Sequence, residues 1–145
     1  ISGGQTMNPS IDTIEKAIRK VNARNVFVLP NNPNIIMAAQ QAAELSDRNV
    51  VVIPTRTMVQ GVAAAMAYAH ENTPDVNKKR MEKAATSVKS GAVTYAVRDT
   101  SYNGLTIQKD DIIGLMDNTI TAVGKTISEA TLSLIQKMAE DNEDC

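Results

Sequence analysis

Few side chains in this chain are placed to do covalent chemistry. His70 is the only histidine among 145 residues, and Cys145, the only cysteine, is the last residue. A zinc site draws several His or Cys ligands together, and a lone histidine cannot supply them. No Gly-x-Ser-x-Gly elbow is present to make a serine nucleophile beside His70. His70 is expected at the end of a helix, exposed, where a cation suits the helix dipole. Asp110-Asp111 and Asp117-Asn118 have the residue types for magnesium, which takes one or two carboxylates plus water. Both pairs fall at expected turns, where Asp and Asn are common for conformational reasons. Gly3-Gly4-Gln5-Thr6 is only loosely like a phosphate-cradling loop and lacks the Gly-x-x-x-x-Gly-Lys-Ser/Thr pattern. An anion at the helix start near Asn8 is the most it suggests. The expectation is therefore no catalytic residue and no metal ligand.

Binding is better served. Asn31, Asn32 and Asn34 follow one apolar run, and Thr55, Arg56 and Thr57 follow another. Plain capping and turn chemistry accounts for some of them. Together they could also line one crevice, with Arg56 supplying charge. Arg98-Asp99-Thr100-Ser101-Tyr102-Asn103-Gly104 is a polar stretch after a further apolar run. It reads as a surface turn with a local Arg98–Asp99 pair, or as a recognition loop. The candidate ligand- or partner-binding residues are Thr6, Asn8, Asn31, Asn32, Thr55, Arg56, Arg98 and Asp99.

These residues are positioned by a repeated phrase. Asn25–Leu29 and Asn49–Ile53 are short apolar runs that stop at Pro30 and Pro54 and lead into alanine-rich helical patterns. Such runs fit parallel strands buried on both faces. Two of them, each followed by a helix, make a βαβα unit, and loops at the carboxyl ends of its strands are where ligands or partners sit.

Around that unit, Asn8-Pro9 reads as a cap and first turn for a helix over 9–23. Asn32-Pro33 reads the same way for a second helix. A third helix is expected over about 57–70 with Met58, Val59, Val62, Ala63, Met66 and Ala67 inward. After a turn at Thr73-Pro74-Asp75, a fourth covers about 77–89 with Met81, Ala84, Ala85 and Val88 on one face. Ala92–Arg98 reads as a strand, Asn103-Gly104 as a turn and Leu105–Ile107 as a short strand. Residues 112–116 and 119–123 form a hairpin around Asp117-Asn118. Ser128 caps a last helix to about 139, with Leu132, Ile135 and Met138 inward. The fold class is α/β: a parallel βαβα start, a mixed or antiparallel β extension at a sheet edge, and a C-terminal helix. A single domain over 1–139, cut from a longer protein, with a polar tail or end at 140–145, is the expected organisation. The seven methionines fall mostly on apolar helical faces. They read as core filling, with an adaptable binding surface as the alternative.

Composition narrows the partners. Net charge is −1 and the pI about 5.8, without the basic excess of a nucleic-acid footprint. One phenylalanine, three tyrosines and no tryptophan make no stacking platform for single strands. No apolar run is long enough to span a bilayer. The single cysteine points to a reducing, cytoplasmic setting.

Four ordered stretches carry a family resemblance: Gly3–Ser10, Leu29–Ala39, Pro54–Gly61 and Ala96–Thr100. Together they resemble the region downstream of the kinase domain in the bacterial dihydroxyacetone-kinase-like proteins, the fatty acid kinase catalytic subunit family. The resemblance covers about Gly3 to Met138. It implies a non-catalytic part of an ATP-dependent kinase, with ATP and magnesium held only by a kinase domain elsewhere in the parent protein. The implied partners are a separate DegV-type fatty acid carrier and other domains of the same chain; a homodimer is compatible with it. The order from Gln5 to Thr55 is also similar to the first domain of the DegV carriers, whose hydroxyl-rich loops hold a lipid carboxylate. Here asparagines and prolines at Asn31-Asn32-Pro33 replace the hydroxyl-rich loop. That replacement turns the expectation from lipid binding toward docking the carrier; a small-ligand site for a fatty acid or phosphate is the alternative.

Overall fold

The structure, a computed structural model, describes residues 8–102, 104–117 and 119–140. The chain is mixed α/β and divides into two compact units, Ile1–Val88 and Lys89–Cys145.

In the first unit, β1 (Asn25–Val28) pairs in parallel with β2 (Asn49–Val52), with Val26 opposite Val50 and Val28 opposite Val52. Strand alternation sends side chains to opposite faces. Val26, Val28, Val50 and Val52 meet Ile14 and Ile18 of α1 (Ile11–Lys20) and Ala39 and Ala42 of α2 (Pro33–Glu44). Phe27, Leu29, Val51 and Ile53 meet Ala64 of α3 (Met58–Met66) and Met81 and Ala85 of α4 (Pro74–Thr86). The parallel pair with α2 between its strands is the βα duplication seen in the sequence. The continuous apolar runs follow from it, because a strand covered on both faces has no polar side.

Several boundaries move for local reasons. Ser10, not Asn8, caps α1, its hydroxyl accepting from the Thr13 N–H at 3.2 Å. Asn32 does cap α2, accepting from the Asn34 N–H at 2.9 Å, with Pro33 in the first turn. Thr73-Pro74 opens α4 rather than forming a separate turn, since Thr73 accepts from the Val76 N–H and Pro74 lacks only a donor that would be unpaired there.

The face of α3 is the larger correction. Gly61 and Ala64 point inward, and Met58, Val59, Val62 and Met66 point out. Ile53, Met81 and Phe27 already fill the layer beneath this helix. The remaining space takes small residues, and the helix turns its glycine and alanine toward it.

In the second unit, β3 (Gly91–Tyr95), β6 (Ile112–Met116) and β7 (Thr119–Gly124) form an antiparallel sheet in the order β3-β6-β7, and β4 (Thr100–Tyr102) pairs with β5 (Leu105–Ile107). Among the described residues these strands make sheets of their own and do not extend the β1–β2 pair. The helix α5 (Ile127–Glu140) packs on the β3-β6-β7 sheet. Its inward residues are Ala130 and Leu134, while Leu132 and Ile135 are exposed. Small residues again decide: a Cβ on Gly124 would lie 2.8 Å from the Ala130 nitrogen, and one on Gly114 would lie 3.2 Å from the Leu134 Cβ. Met138 does face the sheet, resting on Gly91. Thr126, not Ser128, accepts from the Glu129 N–H, and Glu129 reaches back to the Lys125 N–H.

Candidate functional site

At the carboxyl ends of β1 and β2 the two loops lock together. Asn31 adopts φ 58°, a left-handed conformation that Asn tolerates better than most residues. Its N–H donates to Thr55 Oγ1 at 3.0 Å, and the Thr55 hydroxyl donates back to Asn31 Oδ1 at 2.9 Å. Thr55 is fully buried. The Asn31 amide lies over Gly61, where a Cβ would sit 2.6 Å from Asn31 Cγ. Its Nδ2 donates to the Met58 sulfur at 3.5 Å. The first turn of α3 is fixed by Thr57, which accepts from the Gln60 N–H, while Gln60 Oε1 accepts from the Arg56 N–H at 2.8 Å. This is a capping box shifted back by one residue.

The structure thus brings Asn31, Asn32, Thr55 and Arg56 into neighbouring loops and gives them different duties. Thr55 is sealed in, and its hydroxyl is used between the loops. Asn32 spends its side-chain oxygen on α2. Arg56 is exposed. The outward side of α3 adjoins this lock. Met58, Val59, Val62 and Met66 are 68%, 50%, 56% and 82% exposed and share one helical stripe. Two cavities are lined by other residues. One of about 470 Å³ is lined by Ile11, Asp12, Glu15, Arg19 and Leu45.

Arg98 and Asp99 belong to the second unit. Asp99 Oδ1 accepts from the Lys109 N–H at 2.7 Å, so its carboxylate holds the turn after β5. Arg98 is exposed and borders a cavity of about 290 Å³ together with Tyr95, Tyr102, Ile107, Ile113 and Ile120. Asn8 is exposed, without the capping duty expected of it. Thr6 and the Gly3–Gln5 loop lie outside the described residues, as do Asn103, Asn118 and the tail from 141 to Cys145.

Two of the carboxylates suggestive of magnesium, Asp111 and Asp117, have structural partners, while Asp110 is exposed. Asp111 is buried; it accepts from Lys125 Nζ at 2.6 Å and from the Gln108 N–H at 2.9 Å. The Lys125 bond first, then the Gln108 amide, holds its carboxyl below the usual carboxylate range. Asp117 accepts from the Ser90 N–H at 2.9 Å and donates its own N–H to the Ser90 carbonyl at 2.8 Å. Among the described residues no three His, Cys, Asp or Glu side chains converge on a metal position. His70 is exposed, in the turn between α3 and α4 rather than at a helix end, with Nδ1 3.2 Å from the Glu71 carboxylate.

One buried polar residue escapes a reading of the sequence for chemistry. Asn77 accepts from the Ala69 N–H at 3.0 Å and donates to the Ala69 carbonyl at 2.8 Å, clamping the α3–α4 connection. Its signal was available: Asn77, Met81 and Ala85 recur at four-residue spacing on the inward face of α4.

Comparison with known proteins points in one direction. The family model for the C-terminal region of FakA-like fatty acid kinase subunits matches residues 1–145. The chain is 45% identical over 144 residues to Protein YloV of Bacillus subtilis strain 168, covering 99% of this chain and 26% of that protein. It is 43% identical over 144 residues to an uncharacterized protein of Staphylococcus aureus strain USA300, again covering 99% of this chain and 26% of the relative. The chain therefore spans about a quarter of the length of these relatives. Among the described residues no helix is long and apolar enough to cross a membrane.

Proposed function

The chain belongs to the C-terminal family of FakA-like fatty acid kinase subunits, and from that premise we propose that it is a non-catalytic docking domain for a DegV-type fatty acid carrier. The docking surface in this reading is the exposed Met58-Val59-Val62-Met66 side of α3 with Arg56 and the Asn31-Asn32 loop at its edge. The observation that carries the proposal is that stripe. A nine-residue helix with no charged residue turns its large apolar side chains outward and its small ones inward. Contiguous exposed apolar surface of this kind marks interaction sites.

The Asn31–Thr55 lock supports the reading. It consumes the Thr55 hydroxyl and the Asn31 N–H, two donors that could have held a carboxylate, and it ties the β1 loop to the segment leading into α3. Arg98 is assigned to a separate contact on the second unit. ATP and magnesium are assigned to a kinase domain elsewhere in the parent protein, and the reading places the protein in the cytoplasm.

The test uses the full-length protein and its carrier. Val62→Asp should weaken carrier binding and carrier-dependent phosphoryl transfer by at least tenfold, leaving far-UV circular dichroism unchanged. Arg98→Ala should weaken both by a smaller factor. Unaltered binding by Val62→Asp would remove the α3 surface from the proposal.

A further inference from the structure

We propose that the partner face seated on α3 is an apolar patch bordered by carboxylates at both ends, an inference that rests on the docking reading above. The charge pattern around the helix carries it. From Arg56 to His70 the chain holds no Asp or Glu. Met58–Met66 spans about 13 Å at 1.5 Å per residue. An exposed arginine stands at each end of that span. Arg56 lies two residues before the helix, its backbone held by Gln60. Arg80, on α4, donates from Nε to the Ala67 carbonyl at 3.3 Å, at the C-terminal end of α3 where the helix dipole favours a cation. Lys79 and Lys83 continue the exposed basic surface along α4.

The wider field points the same way. The first unit carries ten Lys and Arg against seven Asp and Glu, and the second carries five against nine. A partner that buries the stripe must be apolar at its centre, and potentials across an interface are complementary at its rim. Carboxylates opposite Arg56 and Arg80 would steer its approach and fix its register along the stripe. The flexible thioethers of Met58 and Met66 can conform to an apolar patch of varied shape. A helix lying in a lipid interface presents Trp, Phe or Leu on its apolar side. This stripe has none of them, which favours a protein face over an anionic bilayer.

The experiment measures carrier binding by the full-length protein from 50 to 500 mM salt, for wild type, Arg56→Glu, Arg80→Glu and Val62→Asp. A dilute hydrogen peroxide footprint reads the methionines. Each arginine reversal should weaken binding at least fivefold at 50 mM salt and flatten the salt dependence. Val62→Asp should lose binding at every salt concentration. The carrier should shield Met58 and Met66 from peroxide, while buried Met81 stays unoxidised throughout and reports that the fold is intact. Unchanged or tighter binding by the arginine reversals would overturn the acidic border while leaving carrier docking in place. Shielding of Met58 and Met66 by phosphatidylglycerol vesicles and not by the carrier would overturn it in favour of a membrane. A wild-type protein that does not bind the carrier at all would overturn the docking reading, and this inference with it.

Discussion

Gly61→Ala should destabilise the first unit, and the same substitution should stabilise it once Asn31 is glycine. Gly61 lies inside α3, where alanine is favoured over glycine by about 1 kcal/mol. Against that gain stands the Asn31 amide. The new Cβ would be 2.6 Å from Cγ and 2.8 Å from Nδ2, so the amide must leave its place. Leaving breaks the Thr55 hydroxyl's bond to Asn31 Oδ1. Thr55 is fully buried, and an unsatisfied buried donor costs about 1–3 kcal/mol. Residual crowding adds to the loss. The net expectation is destabilisation by about 1–2 kcal/mol once the helix-propensity gain is subtracted.

Asn31→Gly removes the obstacle, and glycine accepts the φ of 58° without strain. In that background the three nearest contacts of the new Cβ are gone, the helix propensity leads, and Gly61→Ala should stabilise by up to about 1 kcal/mol. The pair is then coupled by about 2–3 kcal/mol, as expected of residues in contact. Urea denaturation followed by circular dichroism measures the four proteins, and hydrogen exchange of β1 and β2 amides assigns the change to the first unit. An equal effect of Gly61→Ala in both backgrounds would show that the lock contributes nothing to stability, and the reasoning would fail.

Other perturbations test the remaining staples. Asn77→Ala should cost about 2–3 kcal/mol, since it leaves the Ala69 N–H and C=O without their partner, and limited proteolysis should move to the 67–73 connection. Gly124→Ala should cost about 1–3 kcal/mol by pressing a methyl on the Ala130 backbone, seen as a lower urea midpoint for the second unit. Asp111 has a lowered pKa in the folded state, so its contribution is present above the ordinary carboxylate value near 3.8 and is lost as pH falls through the lower folded value. The urea midpoint of the second unit should therefore fall with pH below about 4 in the wild type, and Asp111→Asn should blunt that fall. A variant with the same pH profile as wild type would dissociate Asp111 from acid stability.

Much of the local structure was legible because it is written in short-range chemistry. The apolar runs at 25–29 and 49–53, Asn32-Pro33 before α2 and the turn residues between β6 and β7 each specify their element within a few positions. The inward faces of α3 and α5 were not legible. A pattern-based reading places the largest apolar residues inside, since burial of area is the main gain. In both helices the deciding term is distance. Gly61 and Ala64 let α3 approach Asn31 and Met81; Ala130 lets α5 approach Gly114 and Gly124. Most of those constraints, such as Asn31 against Gly61, join residues distant in the chain, beyond the reach of a local pattern. The candidate site was half legible for the same reason. Asn31 and Thr55 come from the two loops read as sharing one edge, and what the sequence did not reveal is that their polar groups bond to each other.

The misread helix faces bear directly on function. A sequence that keeps Met58, Val59, Val62 and Met66 at one helical face, and no charge among them, looks like core. Among the described residues of its own unit, nothing covers that face. Exposed apolar area carries a hydration cost of roughly 25 cal/mol per Å². A domain under no other demand would relieve it with a lysine or glutamate, both good helix formers. The same helix carries the glycine that admits the Asn31 amide, and the Thr57 and Gln60 bonds hold its first turn still. A face pinned in position and left apolar is suited to a partner that arrives with its own apolar patch. The polar loops beside it, which first suggested a ligand, act in this account as the clamp that presents it.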